Sequence, residues 1–528
     1  MASLLPAWPG AAYAAHQSTG ISWMLQQERD GADLNGKLVR GGILGDEMGL
    51  GKTIQSLGLV VNNKVRRTLI ITPLAVRKQW EDAACRCDLN VYVADGASWS
   101  AKSRIRPRRP EIYLGHYDRL TNDSSLFLLF NFNRIILDEA HRIRNQRTRT
   151  FKAVIALEAE YKWCLTGTPI VNEFTDAVAY LRFIGAPVRE DTRTWQPAYK
   201  PWIRKVYLAR LLEECEAPAG MCIPPEPVAE VRQLDFTNEA EAKIYDAIYN
   251  NIEHQLRDAQ RLRGRAYNLA MFSILLRLRQ VSVSPQIYIN ARQKEEFGYT
   301  GPDFTIPSRK FTEIADLLRR SSVAGQQDRW IIFCQFHHEM GLMREYLRSF
   351  PHVGQILEYH GAMSLKERNE VIKQSHTAST DGKQDVFLVQ LHAGGTGLNL
   401  QHYNRVIFTS PWWTAALLDQ ALGRVVRIGQ DRIVKIYWLR LNAEDTFNID
   451  SFIMEKADKK RLLGQTFLSM SHGRSFGALE GQEGEESDED EFLDPEDAYP
   501  AGRGRAAAGG GAAEVVVIDD DEEDEDPK

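Results

Sequence analysis

Cysteine is scarce in this chain, with six residues in 528. That is too few for a disulfide framework, and none stand in the paired C-x-x-C spacing of a zinc site. Cys85 and Cys87 are one residue apart with no matching pair downstream, so they read as reduced, non-liganding thiols. Long apolar runs are missing as well. A membrane helix needs roughly 20 apolar residues, and the longest candidate, residues 126–130, is the size of a core segment. The N-terminus carries a signal-like Ala12-Tyr13-Ala14. No Lys or Arg precedes it, and Pro6 and Pro9 interrupt the apolar stretch, which argues against secretion. There is no short-period repeat. Together these absences predict a soluble protein of a reducing compartment, with no membrane partner.

Hydrophobic residues make up 43% of the chain and charged residues 26%, enough for a sizeable core and too apolar for wholesale disorder. At ~150 residues per domain, the length predicts three or four units. The net charge of −6 conceals an asymmetry. Of 71 acidic and 65 basic residues, segment 480–528 holds 20 and 3, so it carries −17 while 1–479 carries +11. A basic body with an acidic tail is the pattern of a protein that meets polyanions and keeps an internal competitor for them. Ordinary surface charge spread over so many residues reads equally well.

Leu69-Ile70-Ile71 and Arg134-Ile135-Ile136-Leu137 are continuous apolar runs ending in polar loops, the mark of buried parallel strands in a doubly wound α/β fold. The character changes over 186–305. There, 239–279 is charged and helically periodic, with Ile244, Ile248 and Ile252, then Leu275, Leu276 and Leu278, on recurring faces. Pro302 and Pro307 bracket a connector, after which strand-like runs resume at Trp330-Ile331-Ile332-Phe333-Cys334, Val386-Phe387-Leu388-Val389 and Arg405-Val406-Ile407-Phe408. Beyond about Phe476 the Gly, Ala, Glu and Asp content predicts disorder. The expected organisation is therefore an α/β lobe over 1–185, helical insertions and a linker over 186–305, a second α/β lobe over 306–475, and an acidic tail over 476–528.

Two motifs carry chemistry. Leu44-Gly45-Asp46-Glu47-Met48-Gly49-Leu50-Gly51-Lys52-Thr53 follows a strand-like run and precedes an apolar helix-like one. Gly49 and Gly51 let backbone N–H groups crowd around phosphate oxygens at a helix N-terminus. Lys52 can neutralise β and γ phosphates, and Thr53 can offer its oxygen to Mg²⁺. Asp46 stands where the strict G-x-x-x-x-G-K-[ST] pattern wants glycine, so a tight turn before a helix is the competing reading. The second motif is Leu137-Asp138-Glu139-Ala140-His141, a strand ending in adjacent carboxylates. Asp138 can hold Mg²⁺ through water while Glu139 orients and deprotonates an attacking water.

With both motifs in this order, the chain resembles the Swi/Snf family of DNA-dependent ATPases within helicase superfamily two. In that family an Asp at the position of Asp46 is usual. The remaining motifs follow in order along about residues 15–465. Gln17, ahead of Trp23-Met24-Leu25, resembles the adenine-contacting glutamine, and Ile71-Thr72-Pro73-Leu74 with Gln79-Trp80 resembles motif Ia. Leu165-Thr166-Gly167-Thr168-Pro169-Ile170 with Asn172 resembles motif III, which couples the ATP site to DNA. Leu276-Arg277-Leu278-Arg279-Gln280 with Pro285 resembles the family's helical insertion. Ile331-Ile332-Phe333 with Gln335-Phe336 resembles motif IV, and Ala393-Gly394-Gly395-Thr396-Gly397-Leu398-Asn399-Leu400 motif V. Gln420-Ala421 with Arg424 and Arg427-Ile428-Gly429-Gln430 resembles motif VI. Three places depart from the family pattern: Val426 replaces a His, Ser410 an Asp before Pro411-Trp412-Trp413, and Ser282-Val283-Ser284 a polar or Cys-containing run. No Cys/His cluster of a RING insertion lies between the lobes.

The resemblance implies two RecA-like lobes with ATP and Mg²⁺ between them. One lobe would supply Lys52, Thr53, Asp138 and Glu139, with Gln17 and residues Asp46, Glu47, Met48, Gly49, Leu50 and Gly51 lining the nucleotide. The other would supply Arg424 and Arg427 as arginine fingers. Double-stranded DNA would lie across both lobes, with Thr72, Lys78, Tyr117, Gln335, Gly395 and Thr396 as backbone-contact candidates. The resemblance further implies a nuclear protein that translocates on duplex DNA and slides or displaces nucleosomes or other bound proteins. A strand-separating helicase and a non-catalytic scaffold are the alternatives. In the tail, Val515-Val516-Val517-Ile518 precedes Asp519-Asp520-Asp521-Glu522-Glu523 and resembles a SUMO-interacting motif. A solvated acidic tail that competes with DNA for the basic body is the other reading.

Overall fold

Three consecutive apolar residues in a strand point alternately to opposite faces, so both faces need cover. The computed structural model follows that rule twice. It describes residues 4–189, 191–192, 194–216, 224–259, 265–295, 303–379, 382–394, 398–442 and 448–471. In chain order the strands are β1 (Ala32–Leu34), β2 (Lys37–Val39), β3 (Gly41–Leu44), β4 (Arg67–Thr72), β5 (Asn90–Asp95), β6 (Ser98–Ala101), β7 (Glu111–His116) and β8 (Arg134–Asp138). They continue with β9 (Tyr161–Leu165), β10 (Tyr207–Leu208), β11 (Val228–Asp235), β12 (Arg329–Cys334), β13 (Val353–Tyr359), β14 (Gln384–Gln390), β15 (Arg405–Phe408) and β16 (Lys435–Asn442).

The first large sheet has the order β10-β3-β9-β8-β4-β7-β5-β6, parallel except for the β5–β6 pair. Leu69, Ile71, Ile135 and Leu137 enter one apolar cluster, while Ile70 and Ile136 enter another on the opposite face. The second sheet, β11-β16-β15-β12-β14-β13, is wholly parallel. Trp330, Ile332 and Leu388 pack on one side of it, and Ile331, Phe333, Phe387 and Val389 on the other. Two doubly wound α/β sheets are the observed architecture. Among the described residues, no helix is long and apolar enough to cross a membrane.

The segment 186–305 differs from the purely helical expectation. Helices Glu239–Ala259, Arg265–Val283 and Pro285–Glu295 are present, but β10 closes one edge of the first sheet and β11 one edge of the second. In β11 only Leu234 is buried, so the strand lacks the apolar run that marks an interior one. The return path also differs. Helix Ile449–Leu468 leaves the second sheet, and Phe467 near its end and Met470 just beyond it are buried in the first sheet's core, where the Phe467 ring lies tilted 4.9 Å from Tyr207. Ser471 Oγ accepts from Ala209 N at 2.7 Å and donates to Ala209 O at 3.1 Å, fastening that end. The two sheets are thus linked twice, once by the linker after β10 and once by this helix.

Two buried cations are held in close ion pairs. Arg134 and Glu28 are both inaccessible and form a fork, with Nε to Oε1 at 2.6 Å and Nη2 to Oε2 at 2.5 Å, while Trp163 Nε1 donates to Oε1 at 2.9 Å. In the second unit, Lys310 Nζ donates to Asp450 Oδ2 at 2.6 Å and to Ser282 Oγ at 3.0 Å, and Ser282 donates to Asp450 Oδ1 at 2.9 Å. Ser282, a departure from the family pattern, is therefore a member of a satisfied buried triad. Removing one partner of such a pair leaves a charge stranded, which costs about 3–5 kcal/mol. Arg134→Ala is accordingly expected to lower stability by that amount in urea melts. A loss below about 1 kcal/mol, the level of a surface ion pair, would mean the pair is not a structural keystone.

Candidate functional site

The phosphate-loop sequence runs from β3 into helix Lys52–Asn62. Gly49 and Gly51 adopt φ of 92° and 78°, in the left-handed region that favours glycine. A side chain at position 51 would meet the Gln17 amide nitrogen at 2.6 Å. Gln17 is buried, its Nε2 donating to Leu50 O at 3.3 Å and its Oε1 accepting from Ala14 N at 3.1 Å. His16 Nε2 lies 3.0 Å from the same Leu50 carbonyl. Leu50 itself is core, so only its backbone is free to line the loop. Lys52 Nζ donates to Asp46 O at 2.7 Å, resting on its own loop.

Asp46 is the unexpected member. Expected to line the nucleotide, its carboxylate is instead fully buried in a bidentate pair with Arg210, with Nε to Oδ1 at 2.9 Å and Nη2 to Oδ2 at 2.5 Å. Gln55 Nε2 donates to Asp46 Oδ2 at 2.9 Å. The side chain therefore supports the loop from beneath and offers the cleft only its backbone. Arg210 escaped the sequence reading. The one signal was a charged residue replacing glycine in a loop that would have to be buried, which demands a cation nearby.

β8 carries Asp138 and Glu139 to the end of the sheet beside the loop. Glu139 has a φ of 51°, uncommon for a residue with a side chain and held against a cost of order 1 kcal/mol. Its Oε2 makes no hydrogen bond among the described residues and lies 3.5 Å from His141 Nδ1. Trp80 Nε1 donates to Asp138 Oδ2 at 2.6 Å, and Tyr117 OH donates to Asp138 O at 2.8 Å. Burial first, and Glu139 second, push the Asp138 carboxyl up to about 7, against the opposing pull of the Trp80 hydrogen bond. Burial pushes His141 down to about 4, leaving it neutral. Motif III approaches as well, since a side chain on Gly167 would come within 3.4 Å of Lys52 Nζ.

The second sheet's motif VI segment packs directly on this loop. A Cβ on Gly49 would lie 3.3 Å from Arg427 Cβ, and one on Gly423 3.0 Å from Met48 Cβ. Burial lowers the Arg424 pKa while Glu139 and Asp138 oppose that shift, which places the guanidinium within electrostatic reach of both acids. Burial and the neighbouring Arg424 together lower Arg427. Gln430 holds the segment by donating to Gln401 O at 2.7 Å and Tyr403 O at 3.0 Å. Lys52, Asp138, Glu139 and Arg424 thus lie within electrostatic reach of one another, with Arg427 beside Arg424 and packed on the phosphate loop. Thr53 is half-buried at the first turn of its helix. No group of three or more His, Cys, Asp or Glu residues able to hold a metal occurs among the described residues. Thr53 and Asp138 are hard-oxygen donors of the kind Mg²⁺ takes, with its remaining positions filled by phosphates and water.

The DNA-contact candidates fare unevenly. Thr72 is fully buried with Oγ1 on Pro73 O, Tyr117 is core, and Gln335 is buried with Nε2 on Pro411 O at 2.8 Å. Their side chains are committed to the fold, so any contact with a phosphodiester backbone at these positions would fall to main-chain groups. Lys78 is exposed and paired with Glu81 and Asp82. Gly395, Thr396 and the tail residues Val515, Val516, Val517 and Ile518 lie outside the described residues. Of the family departures, Ser410 is buried with its carbonyl accepting from Gln335, and Val426 packs against the second sheet's core.

Comparison with known proteins gives matches along most of the chain. Residues 16–287 match the SNF2-related domain and 309–429 the helicase conserved C-terminal domain. A probable global transactivator of Orgyia pseudotsugata multicapsid polyhedrosis virus is 29% identical, covering 88% of this chain and 94% of its own. A putative ATP-dependent helicase/translocase of Bacillus subtilis is 26% identical over 80% of this chain and 45% of its own. The DNA repair protein RAD5 of Candida albicans is 22% identical over 81% of this chain and 56% of its own. The chain therefore spans nearly all of the viral relative and about half of the other two.

A carboxyl raised to about 7 is disfavoured as an anion in the folded state, so its ionisation subtracts stability as pH rises from about 4 to above 7. Asp138→Asn removes that loss. In nucleotide-free protein it is expected to stabilise by on the order of 1–3 kcal/mol at pH 8, with a smaller gain at pH 5. A lower melting temperature than wild type at pH 8 would show that the acid is not under this strain.

Proposed function

The chain belongs to the SNF2-related family of helicase-superfamily-two ATPases, and on that premise we propose that it is a motor that moves along duplex DNA and displaces bound proteins. As a DNA-dependent ATPase it converts ATP to ADP and phosphate. What carries the proposal is the meeting of Arg424 and Arg427, from the second sheet's unit, with Lys52, Asp138 and Glu139 from the first. A site divided in this way turns over only when both halves are together, so each cycle couples chemistry to relative motion of the two units.

In this reading the Gly49–Gly51 turn and Lys52 bind the β and γ phosphates, with Gln17 bracing the turn. Glu139 orients a water in line with the γ-phosphorus and takes its proton. Arg424 and Arg427 stabilise the charge that spreads over the γ-phosphoryl oxygens, an effect worth ~10³–10⁵ in rate in other NTPases. Asp138 and Thr53 are the residues that would hold Mg²⁺, which would supply charge neutralisation at the phosphates. Trp80 keeps the Asp138 carboxylate oriented. DNA backbone contacts are assigned to Lys78 and, from the sequence motif alone, to Gly395 and Thr396; such contacts position without reading sequence.

Nucleosomes or other DNA-bound proteins are the proposed targets, with the nucleus as the compartment. The Candida albicans relative is named for DNA repair, so a repair role stands beside remodelling. The Val515–Ile518 run is proposed from sequence as a SUMO contact. Phosphate release measured without nucleic acid, with duplex DNA and with RNA tests the motor reading. Stimulation by duplex DNA alone is expected, whereas equal rates in all three would overturn it. Lys52→Ala is expected to lose nucleotide affinity and turnover together. Glu139→Gln should bind ATP normally and turn over at least ~10²-fold more slowly, because only the general base is lost. Wild-type turnover in Glu139→Gln would remove it from that role.

A further inference from the structure

Position 46 is where the strict phosphate-loop pattern has glycine, and a carboxylate there with no accessible surface is stable only beside a cation. The cation comes from neither of the elements that flank the loop. It is Arg210, two residues beyond β10, where the chain leaves the first sheet on its way to β11 at the edge of the second. The contact is not confined to side chains. Gly45 N donates to Leu208 O at 2.7 Å and Glu47 N to Arg210 O at 2.9 Å, so the loop's first residues run as a ladder against the linker. Leu212 N then donates to Glu47 Oε2 at 2.6 Å. The guanidinium is further fixed by Gln55 Oε1 at 2.9 Å and by the carbonyl of His16. Helix Ala15–Asp30 leaves room for this cluster at Gly20, where a Cβ would sit 2.0 Å from Gln55 Oε1 and 2.7 Å from Arg210 Nη2.

We infer that Arg210 is a positioning residue for ATP turnover, joining the phosphate loop to the linker between the two sheets so that nucleotide occupancy and lobe arrangement constrain each other. This rests on the ATP-driven reading above. Lys52 Nζ sits on the carbonyl of the same residue whose side chain Arg210 grips. Bringing Lys52 onto a phosphate therefore releases one end of Asp46 while Arg210 retains the other. A shift of the linker on lobe movement pulls on the loop through the same pair. Coupling of this kind is reciprocal, so whatever DNA does to nucleotide affinity, nucleotide does to DNA affinity.

The test measures the dissociation constant of a fluorescent ADP with and without duplex DNA, and takes the ratio. A purely structural Arg210 would shift both constants alike and leave the ratio alone. Wild type is expected to show a ratio differing from one by about 5-fold or more. Arg210→Gln is expected to bring it within about twofold of one, since the buried pair is what transmits the constraint. Because Arg210→Gln strands Asp46 and is at risk of not folding, two milder variants carry equal weight. Arg210→Lys keeps the charge and loses the two-pronged grip. Glu47→Ala removes the side-chain tie to Leu212 N and leaves Arg210 in place. Both should show ratios between those of wild type and one. Wild-type ratios in both variants would overturn the inference, and so would a wild-type ratio of one in protein that hydrolyses ATP on DNA, with the motor reading left intact. Wild type without DNA-stimulated hydrolysis would remove the motor reading and this inference together.

Discussion

The site is organised by like charges placed side by side in a partly buried space. Asp138 and Glu139 are adjacent at the end of β8, and burial together with Glu139 drives the Asp138 carboxyl up to about 7. Across from them burial lowers both Arg424 and Arg427, and Arg424 lowers Arg427 further. Neither pair is comfortable alone. The acids and the arginines partly compensate each other, which is why Glu139 and Asp138 oppose the shift on Arg424. A ligand that brings polyphosphate to the arginines and a divalent cation to the acids relieves both. Strain of this kind, stored before the ligand arrives, is what electrostatic preorganisation means in structural terms.

The scaffold is organised to hold that arrangement. Each parallel sheet is covered on both faces, so the strand ends that carry chemistry are fixed by rigid cores. The two units are joined by the linker beyond β10 and by the helix that carries Phe467 into the first core. These two links limit how the arginines approach the acids. Trp80 and Tyr117, both in the first core, reach forward to hold the side chain and the backbone of Asp138. The candidate catalytic residues are thus few, and the residues that aim them are buried and numerous.

Much of this was legible in the sequence, for identifiable reasons. The apolar runs of β4, β8, β12, β14 and β15 announced interior parallel strands because both faces of each are buried. The order of the phosphate loop and the Asp138-Glu139 pair announced the chemistry. β11 escaped because an edge strand with one buried residue has no apolar run to see. Arg210 escaped because its partner is more than 160 positions away in sequence, and pairing at that range is a tertiary fact. The burial of Thr72, Tyr117 and Gln335 was not legible for a related reason: a motif locates a residue along the chain, whereas the packing decides which of its atoms face outward.

The central claim is that one transition state is stabilised from two units at once. Affinity for ADP with aluminium fluoride, a mimic of the transferring phosphoryl group, tests it most directly when compared with affinity for ADP in wild type and in Arg424→Ala. The account predicts that wild type binds the mimic at least ~10²-fold more tightly than ADP, and that Arg424→Ala loses most of that preference while binding ADP as before. An undiminished preference in Arg424→Ala would contradict it, because the first unit would then be stabilising the transition state unaided.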